Sequence, residues 1–374
     1  MTDPIPLAQA LIRCNSVTPA DAGALGVLEA ALTPLGFTCT RLRFGEVENL
    51  FARRGTAAPH FCYAGHTDVV PPGDESAWAD SPFAGVVRDG TLYGRGACDM
   101  KGGIAAFVAG LTDYLAANPD HPGSISLLIT GDEEGPGVDG TRRVLEWMAG
   151  NGHTPDMCVV GEPTSQVVLG DTIKIGRRGS MNAWITVHGR QGHSAYPQKA
   201  DNPVHRLIRA LDALTAAPLD TGSEWFEAST LQVTGIQVDN TATNVIPAEA
   251  RAFLNIRFND HHHSDALSAQ LHAVVAEHAP DHNLRIQVSG ESFLTAPGPF
   301  VAALQRAVKR STGLDARLET GGGTSDARFI THHCPVAELG AVGATMHQRD
   351  ESAPVEELRA LAALYRTVIE ECLS

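Results

Sequence analysis

The chain has no apolar run approaching the roughly 18 residues that a membrane-spanning helix needs. Its opening, Met1-Thr2-Asp3-Pro4-Ile5-Pro6, has no basic segment leading into an apolar one. Neither secretion nor a place in a membrane is expected, and a cytoplasmic location is. Cysteines number only 7, scattered from Cys14 to Cys372 and never in a CxxC pair, as suits reduced thiols rather than a disulfide framework. Basic runs are missing too, and the formal charge of −15 repels nucleic acid and anionic lipid. If the substrate is an anion, its positive contacts must be local. What is present is ordinary for a folded, water-soluble chain: 43% hydrophobic and 19% charged residues over 374 positions, enough for two domains.

The first half alternates short apolar runs with helical patterns, which points to an α/β domain. Residues 61–64, 125–130 and 157–160 read as buried strands, with helices over 102–117 and 141–148 between them, and near-continuous apolar strands imply a mostly parallel sheet. Past Arg178 the order becomes strand 181–188, helix 203–216, strand 231–238, strand 251–258, helix 264–278 and strand 284–289. That β-α-β-β-α-β order is ferredoxin-like. Helix 300–310, strand 335–339 and helix 354–371 follow. A small α+β unit over 180–292 therefore interrupts a larger domain made of 1–179 and 293–374.

In an open α/β sheet, ligands bind outside the carboxyl ends of the strands. Four loops expected there carry metal-type side chains: Gly65-His66-Thr67-Asp68, Cys98-Asp99-Met100-Lys101-Gly102-Gly103, Asp132-Glu133-Glu134-Gly135 and Gly161-Glu162-Pro163. His66, Asp99, Glu134 and Glu162 lie roughly 30 residues apart, the length of one βαβ unit, so each loop can bring one ligand to the same sheet edge. His347, in Met346-His347-Gln348-Arg349-Asp350-Glu351, can supply a fifth. Imidazoles and carboxylates suit zinc, and three carboxylates balance most of the charge of two dications. Glu133, beside a ligand without being needed as one, suits the general base for water, and Asp68 suits a partner that holds the His66 imidazole. Taken singly, His66 reads as a loop histidine, Glu162 as a helix cap and Glu133-Glu134 as an acidic turn. His261-His262-His263 reads as a surface tract, Cys98 as a buried thiol, and Gly94-x-Gly96 lacks the third glycine of a dinucleotide fingerprint.

Together the four motifs resemble the co-catalytic zinc metallopeptidases of the M20 type, deacylases and carboxypeptidases among them, over essentially the whole chain. The resemblance implies His66 and Glu162 on one zinc, Glu134 and His347 on the other, Asp99 bridging and Glu133 as catalytic base, with cobalt able to replace zinc. It also implies that the inserted unit is a dimerisation and lid domain, so that the partner is a second copy of the chain, and that His193 acts in the partner's active site. Within the family the likeness is to members that remove an acyl group from a diamino acid, succinyl ahead of acetyl. It rests on Gly321-Gly322-Gly323-Thr324-Ser325-Asp326-Ala327-Arg328, Arg177-Arg178-Gly179-Ser180 and Asn244-Val245-Ile246-Pro247. For a small anionic acyl-amino-acid substrate, Arg178 and Arg257 offer guanidinium forks and the loop of Gly323, Thr324 and Ser325 offers backbone N–H groups. Tyr196 and Asn244 are further expected contacts. Gly343 stands where such members often carry Asn.

Overall fold

Strand His60–His66 is buried at every position, and so is Ser124–Thr130 beside it. Strands without a polar face must be covered on both sides, and their inter-strand hydrogen bonds then run in a dry interior. In this computed structural model, which describes residues 1–374, they form the middle of an eight-stranded sheet. Ser124–Thr130, His60–His66, Met157–Val160 and Val336–Glu338 run parallel to one another. On one side Val47–Arg54 joins antiparallel and carries its hairpin partner Thr38–Phe44. On the other, Thr172–Lys174 pairs antiparallel with Val336–Glu338 and parallel with Arg317–Glu319. Helix Lys101–Ala117 packs on this sheet and against helix Val355–Cys372. The rings of Tyr63 and Phe107 stack 3.9 Å apart, with Tyr365 edge-on to both. Gly110 allows the two helices to meet, since a Cβ there would stand 2.3 Å from the Ala362 carbonyl oxygen.

The chain divides into two compact units. The first contains Met1–Ile175, Thr295–Glu319 and Ser325–Ser374; the second contains Gly176–Leu294 and Thr320–Thr324. The short segment goes with the second unit because Thr320 Oγ1 donates to the Trp225 carbonyl at 2.5 Å and Arg177 Nη1 donates to Gly321 O at 3.3 Å. In that unit the spatial order is Thr230–Gln237, Glu249–Phe258, Gly179–His188, His282–Gly290, antiparallel throughout. Alternation decides which face is buried. Met181, Ala183, Ile185 and Val187 point into a core with Leu207 and Leu211 of helix Pro203–Thr215 and Leu267, Leu271 and Val275 of helix Ser264–His278.

Candidate metal and hydrolytic site

In the first unit the parallel strands end at one edge, and the acidic loops begin there. His66 closes its strand, Glu162 lies two residues past Met157–Val160, and Glu133 and Glu134 follow Ser124–Thr130. Asp99 sits just ahead of helix Lys101–Ala117, preceding a cis peptide to Met100. His347 comes from the loop after Val336–Glu338, at a positive φ of 60°.

These side chains meet. His66 Nε2 lies 3.2 Å from Asp99 Oδ1 and 3.8 Å from Glu162 Oε1. His347 Nε2 lies 2.8 Å from Glu134 Oε1 and 3.2 Å from Asp99 Oδ2. Two groups, His66–Asp99–Glu162 and Asp99–Glu134–His347, each have ligand atoms within 4.8 Å of one another, and they share Asp99. A third, His66–Glu133–Glu134, overlaps them.

Charge makes such a cluster unstable without cations. Burying several carboxylates together costs far more than their hydrogen bonds return unless positive charge accompanies them. The histidines supply it here. Burial alone would lower the His66 pKa, but Asp99, Glu162 and Glu133 outweigh it and hold it well above its ordinary value. Asp99 and Glu134, hydrogen-bonded to His347, push that imidazole up to about 10. Burial would raise Asp99, yet His347 and His66 keep it below the usual carboxylate range. The nitrogen and oxygen donors gathered here fit two ions of the zinc type. Glu133 is different: burial and the nearby Glu162 charge push its pKa well above the ordinary carboxyl value. Arg328 is the nearest cation, with Nη1 4.0 Å from Glu133 Oε1.

The Asp68 carboxylate does something other than grip the imidazole directly. His66 Nδ1 lies 2.9 Å from the Asp68 backbone carbonyl and 3.7 Å from its carboxylate. The carboxylate instead accepts the N–H groups of Glu133 and Glu134, at 3.2 and 3.0 Å, and the Thr18 hydroxyl at 2.6 Å. One residue therefore holds the histidine through its backbone and the acidic pair through its side chain. Thr18, Arg95, Arg328 and Glu351 have no role in the sequence reading; hydrogen bonds across the fold give Thr18, Arg95 and Glu351 a part, and the ion pair with Glu133 gives Arg328 one. Cys98 is buried with its thiol against the Val342 carbonyl, and burial raises its pKa well above the ordinary value, which suits an inert thiol. A Cβ on Gly343 would lie 3.0 Å from the Pro163 carbonyl, so the backbone passes too close for a side chain to sit easily. Ser325, in this unit, donates to Glu338 at 2.5 Å.

The other expected residues lie in the second unit. Arg178 and Arg257 are neighbours: burial and the Arg178 charge lower the Arg257 pKa. Their only ion-pair partner in this unit is Glu227, 3.7 Å from Arg178 Nη1. Two cations with so little compensation suit an anionic ligand. His193 and Asn244 are exposed on paired segments, where Gly192–His193 lies beside Val245–Ile246. His193 Nδ1 accepts the Ala195 N–H at 3.0 Å, so in the neutral ring the proton sits on Nε2, which is then a donor. Tyr196 is 53% exposed, its ring 5.7 Å from that of His193. Gly323 and Thr324 belong to the segment held at Thr320 and Gly321. His262 bonds Asp220 at 2.9 Å, so the triple-histidine tract includes one structural member.

Residues 62–371 match the model of Peptidase family M20/M25/M40. The chain belongs to that family. It is 58% identical to a succinyl-diaminopimelate desuccinylase of Granulibacter bethesdensis over 99% of this chain and 98% of the relative. A protein of that name from Acidiphilium cryptum is 59% identical, with 98% of each chain covered. Solved structures share the fold at low identity. The aminopeptidase PepT of Bacillus cereus superposes with a TM-score of 0.80 at 21% identity, covering 100% and 98% of the chains. A Bacillus subtilis protein described as a dinuclear metal-binding peptidase of the M20 family gives 0.71 at 16%, covering 99% and 98%. This family member is thus a hydrolase with a complete candidate metal cluster.

Proposed function

We propose that this enzyme hydrolyses N-succinyl-LL-2,6-diaminopimelate to succinate and LL-2,6-diaminopimelate, as a cytoplasmic homodimer with two zinc ions per subunit. The observation that carries the chemistry is the sharing of Asp99 by two ligand groups beside a carboxylate that neither group requires. The full-length relatives named for the reaction support the choice of substrate. On this reading His66 and Glu162 hold one ion, Glu134 and His347 the other, and Asp99 lies between them. Ions bound there would supply Lewis acidity, acidifying a water and polarising the amide carbonyl.

The protein's own groups do the rest. Glu133 accepts the proton of the attacking water and delivers it to the amine nitrogen as the C–N bond breaks. Asp68 fixes both ends of this arrangement, through the His66 ring and the Glu133 peptide. Arg178 and Arg257 take a substrate carboxylate, assisted by the N–H groups of Gly323, Thr324 and Ser325 and by Tyr196 and Asn244. His193 of the partner subunit donates Nε2–H to the carbonyl oxygen as charge develops on it. A silent, metal-stabilised binding dimer would have no use for an unspent carboxylate such as Glu133 beside its ligands. The deciding assay sets the zinc- or cobalt-loaded enzyme against succinyl-diaminopimelate, N-acetylornithine and a dipeptide side by side. Turnover of the succinyl compound at least about a hundredfold above the others is expected; preference for acetylornithine or the dipeptide overturns the substrate.

A further inference from the structure

Loops that carry metal ligands need something to hold them, and the two loops bearing Asp99 and His347 have the same holder. Glu351 is completely buried. Its Oε1 accepts the backbone N–H groups of Gly96, Cys98 and Asp99, at 3.1, 3.0 and 3.0 Å. Its Oε2 receives Arg95 Nη1 at 2.7 Å. The same Nη1 donates to the carbonyl of Gln348, the residue after His347, at 3.1 Å. Gly94 N closes the set on the Glu351 carbonyl at 2.9 Å.

A buried carboxylate stripped of its donors is strongly unfavourable, so these bonds persist or the loops rearrange together. Asp99 and His347 are therefore not placed independently. His347 depends on this most, because its side chain is 47% exposed and it sits at positive φ, with little packing to hold it. His66 is held otherwise, as the last residue of its strand, and Glu162 lies two residues past the end of Met157–Val160.

We propose that Glu351, paired with Arg95, is a positioning residue that sets Asp99 and His347 as a unit, so that the Asp99–Glu134–His347 ion site depends on it far more than the His66–Asp99–Glu162 site. The inference rests on the two-ion reading above, and the test separates the two. Metal-free enzyme is titrated with cobalt(II), following visible absorption and equilibrium dialysis, for the wild type and for Glu351→Gln, Arg95→Met, Arg95→Lys and the Glu351→Gln/Arg95→Met double variant. Wild type should take up two ions in two steps. In Glu351→Gln and Arg95→Met one step should lose about 10–100-fold in affinity, the range for groups that orient metal ligands, while the other changes less than about threefold. The double variant should be no worse than either single, because each breaks the same clamp. Arg95→Lys keeps the charge and a single donor nitrogen but on a different, flexible stem, and should give a smaller loss on the same step; it serves if the other variants do not fold. General loosening would instead weaken both steps alike, and a contact with no positioning role would weaken neither; either pattern overturns the proposal. A wild type that binds only one ion overturns the two-ion reading as well.

Discussion

Replacing one carboxylate oxygen with an amide nitrogen separates a base from a ligand. Glu133→Gln keeps the shape of the loop and the Glu133 N–H bond to Asp68, so metal content should stay at the wild-type value while kcat falls at least about a thousandfold. Substantial activity in that variant would remove Glu133 as the base, and loss of an ion would give it the ligand role that the His66–Glu133–Glu134 group allows. Arg178→Ala removes half of a cationic pair; KM for the succinyl substrate should rise about tenfold or more, with less effect on a substrate lacking that carboxylate. Unchanged kinetics would leave Arg178 as a partner of Glu227 alone. The convergence of His66, Glu134 and Glu162 was legible in the sequence because each stands at or just past the end of an apolar strand of the central sheet, at a spacing the βαβ unit explains, whereas Asp99 arrives ahead of a helix and His347 in a longer loop, where their motifs rather than a strand end marked them. The parts of Thr18, Arg328 and Glu351 were not legible. A hydroxyl, a guanidinium and a carboxylate acquire their roles from groups far away in sequence, such as the Asp68 side chain for Thr18 and the Gly96, Cys98 and Asp99 peptides for Glu351.

At the scale of elements, periodicity located the strands whose faces are uniform or strictly alternating. It gave no sign of the hairpin Thr38–Phe44 and Val47–Arg54, where Arg41, Arg43, Arg53 and Arg54 disguise an edge pair whose burial comes from neighbouring strands. It also missed the three short strands Val86–Arg88, Thr91–Tyr93 and Ser352–Pro354, which are too brief to show a period. Helix against helix, the tightest point is Gly110, where a methyl group would meet both the Ala362 carbonyl and the Arg366 N–H. Gly110→Ala should therefore destabilise by about 1–3 kcal/mol despite the better helix propensity of alanine, seen as a lower denaturation midpoint. A neutral or stabilising result would mean that the two helices can slide apart at no cost.

For the whole molecule, the proposed exchange of His193 between subunits makes a prediction that no single chain can satisfy. His193→Ala and Glu133→Gln homodimers should each be nearly inactive, and refolding them as a mixture should restore up to about a quarter of wild-type activity, because one of the two sites in each heterodimer regains both residues. If heterodimers form and the mixture stays inactive, His193 acts within its own subunit or not at all. One further consequence follows from how the second unit is stitched into the chain. Its first and last segments run side by side: Arg177 pairs with Phe293 and Gly176 with Leu294, and just outside them Thr295 N bonds Ile175 O at 2.7 Å. For the discontinuous first unit this turns a gap of roughly a hundred residues into one of a few, once the insertion has folded. The loop-closure cost of joining the two sequence halves then falls by about 2–3 kcal/mol, on the (3/2)RT ln n scaling. The insertion is thus a template for assembly, and a variant that slows its folding should delay recovery of the near-ultraviolet signal of buried Tyr63 and Tyr365, far from the site of the change.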